Sequence, residues 1–170
     1  MDSSPSSTDS PLAPKETRLA TVAQQADAID ELITSAQSKL CVFDRDLVAT
    51  GWNTSLRARN LEAFVRKRGA RLSIIVHDTR YLESACPRVV DLLKVYGHAI
   101  EVRRTGTEAR AAADALVIAD EAHYLHRYHV DQPRATLAIA MPAQAKPLVA
   151  RFEEIWSSGE RALAGTVTGL

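Results

Sequence analysis

Acidic, basic and imidazole side chains gather at a few points of this chain where they could handle a charged ligand. Asp44, Arg45 and Asp46 follow one apolar run, His77 and Asp78 follow a second, and Arg103 and Arg104 close a third. A pair of arginines can grip a phosphate or carboxylate with parallel N–H donors, and a histidine among carboxylates can act as acid or base near neutral pH. A second group lies in the stretch Asp114 to Tyr128, which reads as a hairpin: Leu116 to Ala119 outward, Asp120 and Glu121 as the turn, Ala122 to Tyr128 returning. The candidate ligand-binding set is therefore Asp44, Arg45, Asp46, His77, Arg103, Arg104, Asp114, Asp120 and His123. The same residue types also suit wet loop ends whose acids and arginines pair with one another.

Three further constellations carry weaker signals. His123, His126 and His129 have the donor type of a metal site, but alternation along a strand turns His123 and His129 to one face and His126 to the other. No metal and no cofactor is assigned. Arg57, Arg59, Arg66, Lys67, Arg68 and Arg71 make one helix and its exit basic, which fits a solvated face and lacks the interleaved aromatics of a stacking surface. Trp156 falls at helical spacing with Phe152 and Leu148 and reads as core, whereas Trp52, after a glycine, is placed less firmly.

These residues need elements to hold them. Residues 1 to about 16 are rich in Ser and Pro and poor in apolar groups, which predicts a disordered tail ahead of one domain over 17–170. From Thr17, the positions Val22, Ala26, Ile29, Ile33 and Ala36 repeat at helical spacing. Lys39 to Phe43 is a strand, Asn53 is placed to cap a second helix carrying Leu56, Leu61, Phe64 and Val65, and Gly69 ends it. Arg71 to Val76 is the next strand, followed by a helix from about Arg80 to Tyr96 that Pro87 restarts or kinks, and Ala99 to Arg103 is the third. After the hairpin come a strand from Ala135 to Met141 and a helix from Ala143 to about Ala164. Strands separated by helices predict right-handed crossovers, hence an α/β domain with a mixed, mostly parallel sheet, helices on both faces, and the hairpin as its antiparallel part.

This order, with a helix before the first strand, resembles one half of a phospholipase D superfamily fold over about residues 18 to 164. The final strand Ala135 to Ala140, followed by Phe152 and Trp156 at the spacing Phe-x-x-x-Trp, is similar to the end of such domains. Pro87-Arg88 and the spacing from Asp114 to Asp120 resemble an uncharacterised bacterial family of phospholipase-D-like domains, sometimes attached to acetyltransferase domains. The superfamily's hairpin carries His-x-Lys-x-x-x-x-Asp. Setting its Asp on Asp120 puts the His on Ala113 and the Lys on Ala115. The resemblance implies two facing sets of these residues, with one His attacking phosphorus, the other protonating the leaving oxygen, and the lysines holding phosphate charge. One chain here offers one set without nucleophile or cation.

Composition bounds the rest. At 170 residues and 46 % apolar content the chain can bury one core. Lys plus Arg and Asp plus Glu are both 21, a balance that disfavours a surface built chiefly for nucleic acid. Cys41 and Cys86 read as buried reduced thiols, no run approaches the length of a membrane span, and the expected location is the cytoplasm. The expectation is a catalytically degenerate phospholipase-D-like module that binds a phosphate- or carboxylate-bearing ligand or a partner protein, with no catalytic residues and, by analogy with paired halves, as a homodimer. Two alternatives stay open: an enzyme with a relocated site acting on a phosphorylated small molecule or nucleic acid through His77 or His123, and a nucleic-acid-binding regulatory module using the basic helix.

Overall fold

A computed structural model describes residues 11–163. Its elements are β1 (Lys15–Leu19), α1 (Val22–Ser35), β2 (Lys39–Asp44), α2 (Ser55–Val65), β3 (Arg71–Val76), α3 (Arg80–Ala85), α4 (Pro87–Val95), β4 (Ile100–Arg104), β5 (Ala115–Ala119), β6 (His123–Arg127), β7 (Ala135–Ile139), α5 (Pro142–Ser158) and β8 (Glu160–Leu163). The strands form one sheet in the order β1-β7-β6-β5-β2-β3-β4-β8.

Alternation along each strand divides the apolar side chains between two layers. Leu40, Val42, Leu72, Ile74, Val102, Val117 and Leu125 join Ile29, Leu32 and Ile33 of α1, Leu61 and Phe64 of α2, and Val89 and Leu93 of α4 in the larger core. Cys41, Phe43, Ile75, Leu116, Ile118 and Tyr124 meet Ala145, Phe152 and Ile155 of α5 in the smaller one. An α/β domain with helices on both faces is what the periodicities predict.

Local chemistry explains most boundaries. Thr21 caps α1 through a capping box in which its hydroxyl accepts from Gln24 N–H and the Gln24 side chain accepts from the Thr21 N–H, so the helix begins at Val22 rather than Thr17. Thr54, not Asn53, caps α2, its hydroxyl accepting from Arg57 N–H at 3.1 Å. Asn53 instead accepts from Arg88 N–H at the start of α4. Pro87 occupies the first turn of α4, and so gives a new helix instead of a kink. Gly69, with φ of 75°, provides the left-handed turn between α2 and β3.

Three expectations need correction. The sheet is not mostly parallel: β2–β3 and β3–β4 are parallel, and the other five pairings are antiparallel. α2 joins parallel β2 and β3, and α3 with α4 joins parallel β3 and β4, but β5 returns beside β2 in the opposite sense. Two edge strands, β1 and β8, carry no apolar run and are invisible to a hydrophobic pattern. Consequently Lys15 and Glu16, assigned to the tail, belong to β1, and the closing helix stops at Ser158 so that β8 can pair with β4. Residues 1–10 of the expected tail lie outside the described residues.

Candidate functional site

The C-terminal ends of β2, β3 and β4 and the head of β5 lie at one end of the sheet, because β5 runs antiparallel to β2 with Phe43 across from Leu116. Asp44 ends β2 on the α1 face. Its carboxylate accepts from Arg45 N–H at 2.6 Å and lines a crevice of about 20 Å³ together with Gln25, Thr50, Ala115 and Arg127. That volume holds about one water. Burial, reinforced by nearby Asp46, pushes the Asp44 carboxyl up to about 6 against the opposing pull of Arg45 N–H and the Arg127 and Arg45 charges.

The cations of this rim are committed to its own loops. Arg127, buried, donates to the carbonyls of Gln132 at 2.8 Å and Val130 at 2.6 Å, while Val130 N–H donates to the carbonyl of Ala113. Arg45 pairs with Asp131 at 3.0 Å and stands 3.5 Å from Asp46. Asp46 also accepts from Val48 N–H, folding the loop so tightly that buried Leu47 takes φ of 68°. A branched residue in the left-handed region stores strain.

His77 fastens three segments. Its Nε2 lies 2.7 Å from the carbonyl of Ala112 before β5, its Nδ1 lies 2.6 Å from the hydroxyl of Thr105 after β4, and its ring meets Phe43 edge to face at 5.4 Å. A carbonyl only accepts, so Nε2 carries a proton, and neither ring nitrogen is left to serve a substrate. Arg104 donates to the hydroxyl of Thr79 at 3.0 Å, and Asp78 is held by exposed Arg80.

The remaining candidates disperse. Arg103 turns to the α5 face, where it stacks over Trp156 at 4.2 Å and donates to Glu101 and to the Trp156 carbonyl. Asp114 also faces α5, where the Arg151 fork at 2.6 and 3.0 Å and His126 Nε2 at 3.2 Å meet its carboxylate. Burial raises the Asp114 carboxyl, but these two partners outweigh it and hold the group well below the usual range. Asp120 and His123 sit at the opposite end of the sheet. Asp120 accepts from the backbone N–H groups of Gln37, Ser38 and Lys39 and from the Ser38 hydroxyl, pinning the start of β2, and His123 Nδ1 accepts from Ala140 N–H. The turn that carries Asp120 points away from the rim because the hairpin leaves it and comes back.

Other side chains resolve in the same way. His123, His126 and His129 bond to different partners, and His129 accepts from Asp131 N–H. Arg57 is 1 % exposed, donates to Asp30 and to the Ala26 carbonyl, and lies over Trp52 at 4.8 Å, so it leaves the basic surface. Arg59, Arg66 and Arg68 remain exposed, while Lys67 donates to the Ala36 carbonyl. Trp52 is core. Cys41 and Cys86 are buried free thiols, with burial pushing Cys41 up to about 12. Sequence reasoning missed Arg127 and Arg151. Neither was legible: a two-residue turn at Asp120 and Glu121 would set His126 across from Ala115, whereas Ala119 pairs with His123 around a three-residue loop, which brings Arg127 there.

A family model described as a domain of unknown function (DUF7931) matches residues 21–164. No match is found among curated protein sequences. Among solved structures, the chain is similar to TrmBL2, an archaeal chromatin protein whose structure is described as showing a novel mode of DNA binding, with TM-score 0.67 and 14 % identity over 92 % of this chain and 56 % of that one. It is similar to Nuc, a phospholipase D family member from Salmonella typhimurium, with TM-score 0.66 and 14 % identity over 89 % of this chain and 100 % of that one. NucT from Helicobacter pylori gives TM-score 0.59 and 14 % identity over 88 % and 100 %. The fold is phospholipase-D-like. The chain spans a little over half the length of TrmBL2.

Proposed function

We propose that this chain, which belongs to the family described as a domain of unknown function (DUF7931) and has a phospholipase-D-like fold, is a catalytically degenerate module that binds a ligand or partner in the cytoplasm. The observation that carries this reading is the head of β5. There Ala113 and Ala115 stand where the superfamily motif has its His and Lys, and His77 nearby has both ring nitrogens committed. Methyl groups neither attack phosphorus nor neutralise its oxygens, and the charges that surround them are tied to loops or to one another.

The rim therefore acts as a fastened surface. Asp44, Arg45, Asp46 and Arg104 remain its ligand-facing candidates, with His77 holding the loops behind them, and the chain pairs as a homodimer, since the superfamily chemistry is built from two facing units. The decisive experiment is hydrolysis of bis(p-nitrophenyl) phosphate by the purified protein. The expected result is no turnover above a buffer control. Turnover that disappears in His77→Ala or His123→Ala would overturn the proposal in favour of a relocated catalytic site.

A DNA-binding reading draws on one observation of its own, the exposure of Arg59, Arg66 and Arg68 along and beyond α2, in a fold shared with TrmBL2. These are phosphate-type contacts without base recognition.

A further inference from the structure

At the rim end of the sheet, on the face that carries α5, Arg18 of β1 lies directly across from Thr136 of β7, and Thr136 lies directly across from His126 of β6. Tyr128 follows β6 on this side. The residue is 56 % exposed, yet its side chain is held twice: the hydroxyl is hydrogen-bonded to the Thr136 hydroxyl, and the ring meets His126 edge to face at 4.9 Å. His126 is itself fixed by Asp114, which Arg151 anchors. A large aromatic surface is thus presented in one orientation, so little side-chain freedom remains to be lost when a ligand stacks on it.

The ring lines a groove of about 360 Å³ with Arg18, Arg134, Glu16 and Thr136. Ligand clefts run from roughly 300 to 1,000 Å³, so this one suits a single small unit. Arg18 and Arg134 are both exposed, and neither is in an ion pair among the described residues. They differ in this from Arg45, Arg103, Arg151 and Arg161, each of which faces a carboxylate.

From the pinned ring and the two uncommitted guanidinium groups, we infer that this groove binds a nucleobase carrying phosphate, either free or as one residue of a single strand. The base stacks on Tyr128 and the phosphate takes the donors of Arg18 and Arg134. An acidic peptide would engage the arginines but leave the ring face bare. Glu16, two residues before Arg18 on the same strand face, repels phosphate and so restricts where it lies in the groove. The assignment rests on the binding-module reading and gives that module a ligand class.

Calorimetry with AMP and UMP, and fluorescence anisotropy with a labelled short oligothymidylate, test it at low salt. At least one probe is expected to bind, with affinity falling about 10-fold in Tyr128→Leu and in Arg134→Glu, falling less in Tyr128→Phe, which keeps the stacking face and loses only the bond to Thr136, and unchanged when exposed Arg110 is reversed in charge by Arg110→Glu. Binding of the mononucleotides identifies a free ligand, and binding of the oligonucleotide alone identifies a strand. Absence of binding to every probe, indifference to Tyr128→Leu, or equal displacement by a polyglutamate peptide would overturn the assignment. Hydrolysis of a probe by the wild-type protein would instead sink the non-catalytic reading, while the same variants still report on the groove.

Discussion

Arg127 stands directly across from Ala115 in the β5–β6 ladder, on the face where Asp44 ends β2. Under the alignment proposed above, the position of the motif's lysine is next to a guanidinium from the neighbouring strand. That guanidinium donates to the carbonyls of Val130 and Gln132 and so holds the loop between β6 and β7. Positive charge persists at the head of β5, with a structural task.

Asp44 provides a pH test of this rim. Its folded-state pKa near 6 lies above the ordinary 3.8. Between about pH 4 and pH 6 the unfolded chain releases a proton that the folded chain keeps, so stability falls as pH rises through that window. Asp44→Asn is expected to be more stable than wild type at pH 7, by on the order of 2 kcal/mol, and equal to it at pH 4. Urea unfolding at the two pH values measures both arms.

Asp120 is expected to matter for folding and not for binding. Asp120→Ala strips acceptors from four donors at the start of β2, at a cost of roughly 2–3 kcal/mol. Burial lifts this carboxyl, but the N–H groups of Ser38, Lys39 and Gln37 bring it below its ordinary value. Its contribution is therefore present above the unfolded pKa and disappears as pH falls through the folded one. Acid unfolding followed by circular dichroism should show wild type losing more stability than Asp120→Ala as pH drops below about 4.

The arginines of α2 and its exit are expected to separate into two kinds. Arg57→Ala exposes Asp30 to loss of its partner and removes the cation over Trp52, so it should destabilise by about 3 kcal/mol or more. Arg66→Glu with Arg68→Glu should leave unfolding within about 0.5 kcal/mol of wild type. Any duplex DNA affinity of the wild type should vanish as salt rises to the physiological range, since few phosphate contacts are on offer. Denaturation curves and a salt titration of DNA binding distinguish the two kinds.

Sedimentation at micromolar concentration should show a two-fold homodimer. A species of 18.6 kDa that does not change with concentration would instead point to a different protein as the partner.

The helices and the buried strands were legible because each needs an apolar stripe at its own period. Leu40 to Phe43 and Ile74 to Val76 are buried on both faces and read as continuous runs. β1 and β8 were not legible: KETRL and ERAL lie at the sheet's edges, where charged residues suit a strand that must not recruit another chain. The rim residues Asp44, Arg45, Asp46 and His77 followed from strand ends. Asp120 and His123 did not join them, because the direction of β5 beside β2 is a tertiary choice that no local pattern encodes. Arg151 gave no signal at all, being one more charge on a helix surface.

The two edge strands set where the chain enters and leaves the sheet. β1 forms one edge of the sheet and β8 the other, so the chain enters the described fold at one side and leaves it at the opposite side. Neighbouring strands lie about 4.8 Å apart, and the spacings from β1 to β8 add to on the order of 30 Å. The segments that continue from β1 and from β8 therefore set out from opposite edges of the sheet, a full sheet width apart.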